Sequence, residues 1–193
     1  MIETTIINAA SEGEIRQQLT AYLQREGDAF QHRVSLQDGQ KTILLDIDID
    51  PGGGFESGYA TTRFSAPVAV ATDFAFTFHP EGFLSDFAKL FGLQDEVVGY
   101  PEFDEKVIIK TNDAEKVRAV FSDGAVRQTL SALSSYNLQL DGNNEADRTR
   151  KLTLEIEEGI TEPAALLPLY HTFRQVLAQV EAVEWKWIKW IGF

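Results

Sequence analysis

Residues 30–50 read FQHRVSLQDGQKTILLDIDID, and this stretch decides the fold. Two apolar-rich runs, 30–37 and 41–50, flank Asp38-Gly39, a dipeptide that is the strongest short-range signal for a β-hairpin. The second run alternates Ile or Leu with Asp, which is typical of a strand with one buried face and one solvated face. The stretch therefore predicts two antiparallel strands joined by a tight turn.

The segments on either side of this hairpin extend the pattern. Ser11 and Glu14 form a capping box before residues at helical spacing, which predicts a helix over 11–26. After the Gly-rich loop 51–54, residues 58–67 and 68–80 predict two more strands, which Pro67 separates or bends. We expect a short helix from 83 to 92, ended by its glycine.

The C-terminal half mixes short helices and strands. Residues 106–111 predict a strand, Asn112-Asp113 caps a helix, and Ser122-Asp123-Gly124 divides it from a second one. Residues 136–140 and 151–157 predict a second hairpin around the polar loop DGNNEADRTR. Thr161 and Pro163 open a long final helix.

Strands and helices are thus grouped along the chain and do not alternate strictly. This grouping favours an α+β class: an antiparallel sheet, formed by a meander and a C-terminal hairpin, with helices packed against it. The length of 193 residues predicts one domain, 1–193, and a two-lobed organisation into 1–92 and 93–193 is an alternative.

Charge and cysteine content exclude several functions. Thirty acidic residues against 17 basic ones give a net charge of -13, which repels nucleic acid because no Lys/Arg cluster offsets it. The sequence contains no cysteine, so disulfides, thiolate metal sites and thiol nucleophiles are excluded. It shows neither a secretory signal nor a run of about 20 apolar residues, and we expect a cytoplasmic protein.

Three aspartates form the main candidate for a ligand or metal site. Asp46, Asp48 and Asp50 project from one face of the predicted strand, and three carboxylates on one face can bind a hard cation. Pro51 and Ser57 stand where an EF-hand loop requires Gly and Glu. The alternative is that the aspartates face water and discourage pairing at a sheet edge.

Other catalytic patterns are weak. Glu102 and Asp104 can be paired carboxylates for acid–base work, or Asp104 can fix the turn before a strand. His79, at a strand end, is the most plausible functional histidine, and a structural role is the alternative. The sequence lacks a zinc-type histidine pair, a serine-hydrolase elbow and a phosphate-binding loop motif. We predict no cofactor.

The C-terminal sequence EWKWIKWIGF, 184–193, is unusually aromatic. Trp185, Trp187, Trp190 and Phe193 crowd so much apolar surface that some of it requires a cover. The tail can fold onto the sheet of its own chain, lie in a homodimer or partner interface, or lie at a membrane surface. The negative net charge opposes anionic lipid, so membrane contact is the least favoured.

The segment FGLQDEVVGYPEFDEKVIIKTNDAEKVRAVFSDGAVRQTLSAL, residues 91–133, resembles a segment of a family of uncharacterised bacterial proteins, a domain of unknown function. A G-x-x-x-F-D turn, an apolar strand and an Asn-Asp helix cap carry the resemblance. It implies a bacterial source and a shared fold element, with no activity to transfer. Some of those proteins are joined to membrane-spanning helices, which this sequence does not contain.

Taken together, the sequence favours a non-enzymatic protein-interaction or ligand-binding module. Two alternatives stay open. One is a metal-dependent enzyme that uses Asp46, Asp48 and Asp50, and the other is a carrier of a small hydrophobic ligand between sheet and final helix.

Overall fold

The computed structural model describes residues 3–39, 41–53, 57–68, 73–80, 94–95, 97–141 and 150–191, without the side chains of 94, 95, 102 and 184–191. Within these residues the chain forms nine strands and five helices. In chain order they are β1 (Thr5–Ala9), α1 (Glu12–Glu26), β2 (Gln31–Asp38), β3 (Lys41–Asp50), β4 (Tyr59–Val68), β5 (Phe76–Pro80), β6 (Gln94–Asp95), α2 (Pro101–Asp104), β7 (Val107–Thr111), α3 (Ala114–Val120), α4 (Gly124–Ser131), β8 (Tyr136–Leu140), β9 (Arg150–Ile156) and α5 (Pro163–Ile191).

The chain divides into two compact units, each built from two segments. The first unit comprises residues 1–66 and 154–171, and the second comprises 67–153 and 172–193. The division falls within β4, β9 and α5, so each of these elements contributes residues to both units.

The first unit contains a sheet with the strand order β1-β2-β3-β4-β9. β1 runs parallel to β2, while β2, β3 and β4 pair antiparallel. Val34, Leu45 and Phe64 lie opposite one another on the inner face and are fully buried. The start of α5 reaches the same face, since the ring of Tyr170 lies 6.5 Å from that of Phe64. These apolar contacts hold the unit together.

Local hydrogen bonds explain where α1 begins. The Ser11 hydroxyl accepts a hydrogen bond from the Glu14 amide at 3.3 Å, and the Glu14 carboxylate accepts one from the Ala10 amide at 3.0 Å. The first bond satisfies an amide of the first helical turn, and the second ties the residue before the N-cap to that turn. The predicted helix over 11–26 is confirmed.

The second unit contains a sheet with the order β9-β8-β5-β7-β6 and an aromatic core. β5 pairs antiparallel with both β7 and β8. The rings of Phe78 and Phe121 stack at 4.1 Å, and the edge of Phe76 meets Phe121 at 5.7 Å. Asp113 caps α3, as the sequence predicts, and Asp123, in the predicted division between the two helices, caps α4.

The α+β class, the mostly antiparallel sheet and the long C-terminal helix are confirmed. The structure differs from the sequence prediction in several details. β1 was not predicted, β4 continues through Pro67, and residues 101–104 form one helical turn that was not predicted either. β8 is buried at all five positions. The predicted helix 83–92 lies outside the described residues. None of the described helices is both long and apolar enough to span a membrane.

Candidate functional site

A charged face covers one side of the sheet in the first unit. We use this name for the outward side chains of β2, β3, β4 and β9. Ile47 on β3 is buried, while Asp46 and Asp48 on either side of it project outward, because successive side chains of a strand point to opposite faces. The charged and polar members of this face around the three aspartates are Gln31, Arg33, Asp46, Asp48, Asp50, Tyr59, Thr61, Arg63 and Glu155.

Charges of alternating sign stand on neighbouring strands. Arg33, Asp46 and Arg63 are opposite one another in the sheet register. The Arg33 Nε donates to Asp46 at 2.5 Å, and the Arg63 Nη2 lies 2.7 Å from Glu155 Oε2. Exposed cross-strand pairs of this kind contribute little to stability because water screens their charges. These ion pairs therefore fix the positions of the charged side chains and add little to the stability of the first unit.

The remaining two aspartates are also held by neighbours. Asp48 accepts hydrogen bonds from Gln31 Nε2 at 2.8 Å and from the Tyr59 hydroxyl at 2.9 Å. Asp50 accepts one from the Gly52 amide at 2.9 Å. The three predicted carboxylates therefore lie on one face, each with its own partners. In the part of the chain that the structure describes, no three carboxylate or histidine side chains are grouped so as to hold a metal ion.

A cleft of about 250 Å³ lies on the charged face, lined by residues of β2, β3 and β4. The hydrogen bond to Asp48 and its negative charge raise the pKa of Tyr59 above 10.0. The hydrogen bond to Asp46 raises the pKa of Arg33 above its already high ordinary value. Both side chains therefore keep their protons at neutral pH and act in the cleft as hydrogen-bond donors.

His32 lies beside the same cleft but is only 2% exposed. Its Nδ1 is 3.2 Å from the Tyr22 hydroxyl, and its Nε2 is buried with no hydrogen-bond partner among the described residues. Burial lowers the pKa of His32 below 6.5, and the Ala29 backbone and Glu26 only partly oppose this. His32 is therefore neutral near pH 7.

The other predicted site residues belong to the second unit. His79 is half-buried in β5, and its Nδ1 lies 3.1 Å from the carbonyl oxygen of the adjacent Pro80. The Asp104 carboxylate accepts hydrogen bonds from three successive amides, those of Val98, Gly99 and Tyr100, at 2.9 to 3.1 Å. These bonds fix the turn before α2. Glu102 lies in α2, but its side chain is not described.

The C-terminal candidates are described only in part. Trp185, Trp187 and Trp190 fall in α5, with side chains outside the described set, and Phe193 lies beyond the described residues.

Sequence reasoning missed Arg33, Tyr59 and Arg63 as members of the site. Arg33 could have been found from the sequence, because the register of the hairpin determines which residue of β2 lies opposite Asp46. In the structure Asp38 pairs with Lys41, which places Arg33 opposite Asp46. A turn centred on Asp38-Gly39 instead shifts the pairing by two residues and places Arg33 opposite Leu44.

Comparisons with known proteins give little further information. No protein-family model and no curated protein matches the chain. Among solved structures, the crystal structure of the mycobacterial trehalose monomycolate transport factor A, TtfA, is similar with a TM-score of 0.43 and 9% sequence identity. The alignment covers 86% of this chain and 94% of that one. A likeness of this strength does not extend to function.

Proposed function

We propose that this chain is a non-enzymatic binding module whose charged face recognises a protein partner. The observation that carries the proposal is that the chemically active groups of this face bind one another. Asp46 is bound by Arg33, Asp48 by Tyr59, and Glu155 by Arg63. A preordered set of donors and acceptors suits recognition, because little side-chain entropy is lost when a partner binds.

The size and residue types of the face favour a protein over a small molecule. The cleft of about 250 Å³ lies below the roughly 300–1,000 Å³ that is usual for ligand pockets. Tyr59 is 53% exposed, and the side chains of Arg33 and Arg63 are each 45% exposed. Tyr and Arg are enriched among the residues that dominate binding energy at protein interfaces.

The charges of the cleft indicate what kind of partner surface fits. Its lining contains two arginines, Arg33 and Arg63, and two aspartates, Asp46 and Asp48. Because the charges of the described lining balance, the cleft itself exerts little net attraction on strongly acidic or strongly basic partners. We therefore propose a polar partner surface of mixed charge, held mainly by hydrogen bonds and by contact with the ring of Tyr59.

The two alternative functions have less support. A metal-dependent enzyme requires carboxylates that converge on one ion, whereas Asp46, Asp48 and Asp50 each have separate partners. A carrier of hydrophobic ligands requires an apolar pocket, and the charged face is lined by polar side chains. Homodimerisation through the aromatic tail and the relationship of residues 91–133 to uncharacterised bacterial proteins stay proposals.

Site-specific photo-cross-linking tests the proposal. Thr61, which lines the cleft, is replaced by p-benzoylphenylalanine, and Glu115, an exposed position on α3, receives the same group as a matched control. After irradiation in the cells that express the protein, we expect a discrete cross-linked species from position 61 that position 115 does not give. Mass spectrometry of this species identifies the partner, including a second copy of the chain.

A second substitution links the cross-link to the charged face. Tyr59→Ala removes the exposed ring and its bond to Asp48, and we expect it to reduce the yield from position 61 at least fivefold, as for an interface residue worth about 1 kcal/mol. Unchanged yield in this variant, or identical products from positions 61 and 115, contradicts the proposal. Circular dichroism of each variant verifies that it is folded.

A further inference from the structure

A second cleft, in the second unit, runs along α4 and has a volume of about 410 Å³. This volume is within the usual range for pockets that bind small molecules. The described residues that line it are Lys106, Gly124, Arg127, Gln128, Ser131 and Ala132.

The lining follows from helix geometry. Four lining residues form one stripe along α4, because three of them follow Gly124 at the helical spacings of three, four and seven residues. These three are Arg127, Gln128 and Ser131. Lys106, in the turn before β7, faces this stripe across the cleft. A methyl group added at Gly124 meets only Arg127 Nη2, at 3.7 Å, so this glycine is not needed for close packing and leaves the cleft open at its end.

The described lining of the cleft is opposite in charge to the chain as a whole. The protein carries -13, whereas the charged residues among the described lining, Lys106 and Arg127, are basic. Gln128 and Ser131 add neutral hydrogen-bonding groups. A local positive site on an acidic protein attracts an anion at short range, while the field of the whole protein repels highly charged ones.

Arg127 is held in place before any ligand arrives. Its guanidinium carbon lies 3.5 Å from the centroid of the Tyr100 ring. Its Nη1 donates to the carbonyl oxygens of Phe121 at 2.7 Å and Ser122 at 2.9 Å. The positive charge is therefore fixed beside the cleft, and a ligand does not have to order this side chain.

We infer that the α4 cleft binds a small organic molecule carrying a single carboxylate. A monoanion is favoured over a phosphate dianion because Asp123, the N-cap of α4, is adjacent to Gly124 and repels the second negative charge. Asp123 also accepts a hydrogen bond from the Ala125 amide at 2.8 Å, so this amide is already satisfied. The inference does not rest on the proposed function of the charged face.

Ligand-detected NMR with benzoate tests the inference, with benzamide as the neutral molecule of the same shape. At constant ionic strength we expect benzoate to bind and benzamide not to bind. Lys106→Gln should weaken benzoate binding roughly fivefold, whereas Lys151→Gln, which removes one positive charge outside the cleft, should leave it unchanged. Inorganic phosphate should compete more weakly than benzoate does.

Substitution of Arg127 is a poor test because this residue holds the turn before α4. Ser131→Glu instead places a carboxylate in the cleft and should abolish benzoate binding in a protein with an unchanged melting temperature. Equal binding of benzoate and benzamide overturns the inference, as do equal losses in the two lysine variants. Tighter binding of phosphate than of benzoate overturns the assignment to carboxylates.

Discussion

The turn held by Asp104 yields the most quantitative prediction, through the substitution Asp104→Ala. The carboxylate accepts one hydrogen bond at Oδ1, from Val98, and two at Oδ2, from Gly99 and Tyr100. Alanine leaves all three amides without this acceptor. Gly99 has φ +85°, a left-handed conformation that glycine adopts at no steric cost, so the loss on substitution comes from the three hydrogen bonds.

The expected loss of stability follows from these three bonds. A bond to a charged group contributes about 1.5–3 kcal/mol when buried, but here the amides are partly exposed and water replaces part of the interaction. At about 1 kcal/mol for each bond, the free energy of unfolding should fall by about 3 kcal/mol. In a chain of this size, that loss lowers the melting temperature by about 6–12 °C.

Asp104→Asn is the matched control. An asparagine oxygen at the Oδ2 position keeps the bonds from Gly99 and Tyr100, but its NH₂ group then faces the Val98 amide. We expect this variant to lose about 1 kcal/mol, near one third of the alanine effect. Urea unfolding followed by circular dichroism measures both values. An alanine variant within 0.5 kcal/mol of the wild type, or equal losses in the two variants, refutes this account of the turn.

Four further predictions concern titration, burial and metal binding. Because burial lowers the pKa of His32 below 6.5, the wild type should lose stability as the pH falls from 6.5 through the folded-state pKa. Urea unfolding at a series of pH values should show a flatter dependence of stability on pH in His32→Gln, and an unchanged dependence contradicts this role of His32. Burial raises the pKa of Asp141 above 3.8, and the positive charges of Lys151 and Arg150 only partly oppose this shift. Asp141→Asn should therefore stabilise the protein by a few tenths of a kcal/mol at neutral pH, and the gain should vanish below pH 3.8. A loss of stability at neutral pH argues against this account of Asp141. The Tyr136 hydroxyl is buried with no hydrogen-bond partner among the described residues. Tyr136→Phe removes this hydroxyl and should raise the free energy of unfolding by about 1 kcal/mol. A destabilised variant would indicate that the hydroxyl has a partner. Millimolar Ca²⁺ or Mg²⁺ should not raise the melting temperature, because Asp46, Asp48 and Asp50 have separate partners; a rise that Asp48→Ala removes would support the metal-dependent alternative.

The parts of the fold that sequence predicts are those with local causes. The capping box at Ser11 and the caps Asp113 and Asp123 satisfy amides within three residues, so the helix starts can be read from short motifs. β1 has no such motif: it is only five residues long and pairs with β2 across the whole of α1. A non-local pairing of this kind leaves no periodic signal strong enough to identify the strand.

The burial of β8 and the pairs of the charged face were harder to predict, because both depend on contacts between residues far apart in the sequence. Asn137 and Gln139 alternate with apolar residues, which is typical of a strand exposed on one face, yet both are buried. They form a hydrogen-bonded chain with Thr77, which is 60 residues away from Asn137. The aspartate side of β3 was predicted from its period of two, but its partner Arg33 depends on the turn register, and Glu155 reaches Arg63 across 92 residues.

The distance along the sequence between Arg63 and Glu155 has a consequence for synthesis of the chain on the ribosome. β4 emerges from the ribosome long before β9, its neighbour in the sheet of the first unit. At about 5–20 residues per second, the 92 residues between Arg63 and Glu155 take about 5–18 s to synthesise. Throughout this interval the unpaired edge of β4 is available to other nascent strands. Ribosome-associated chaperones are therefore expected to matter most for this protein after β4 has emerged and before β9 follows.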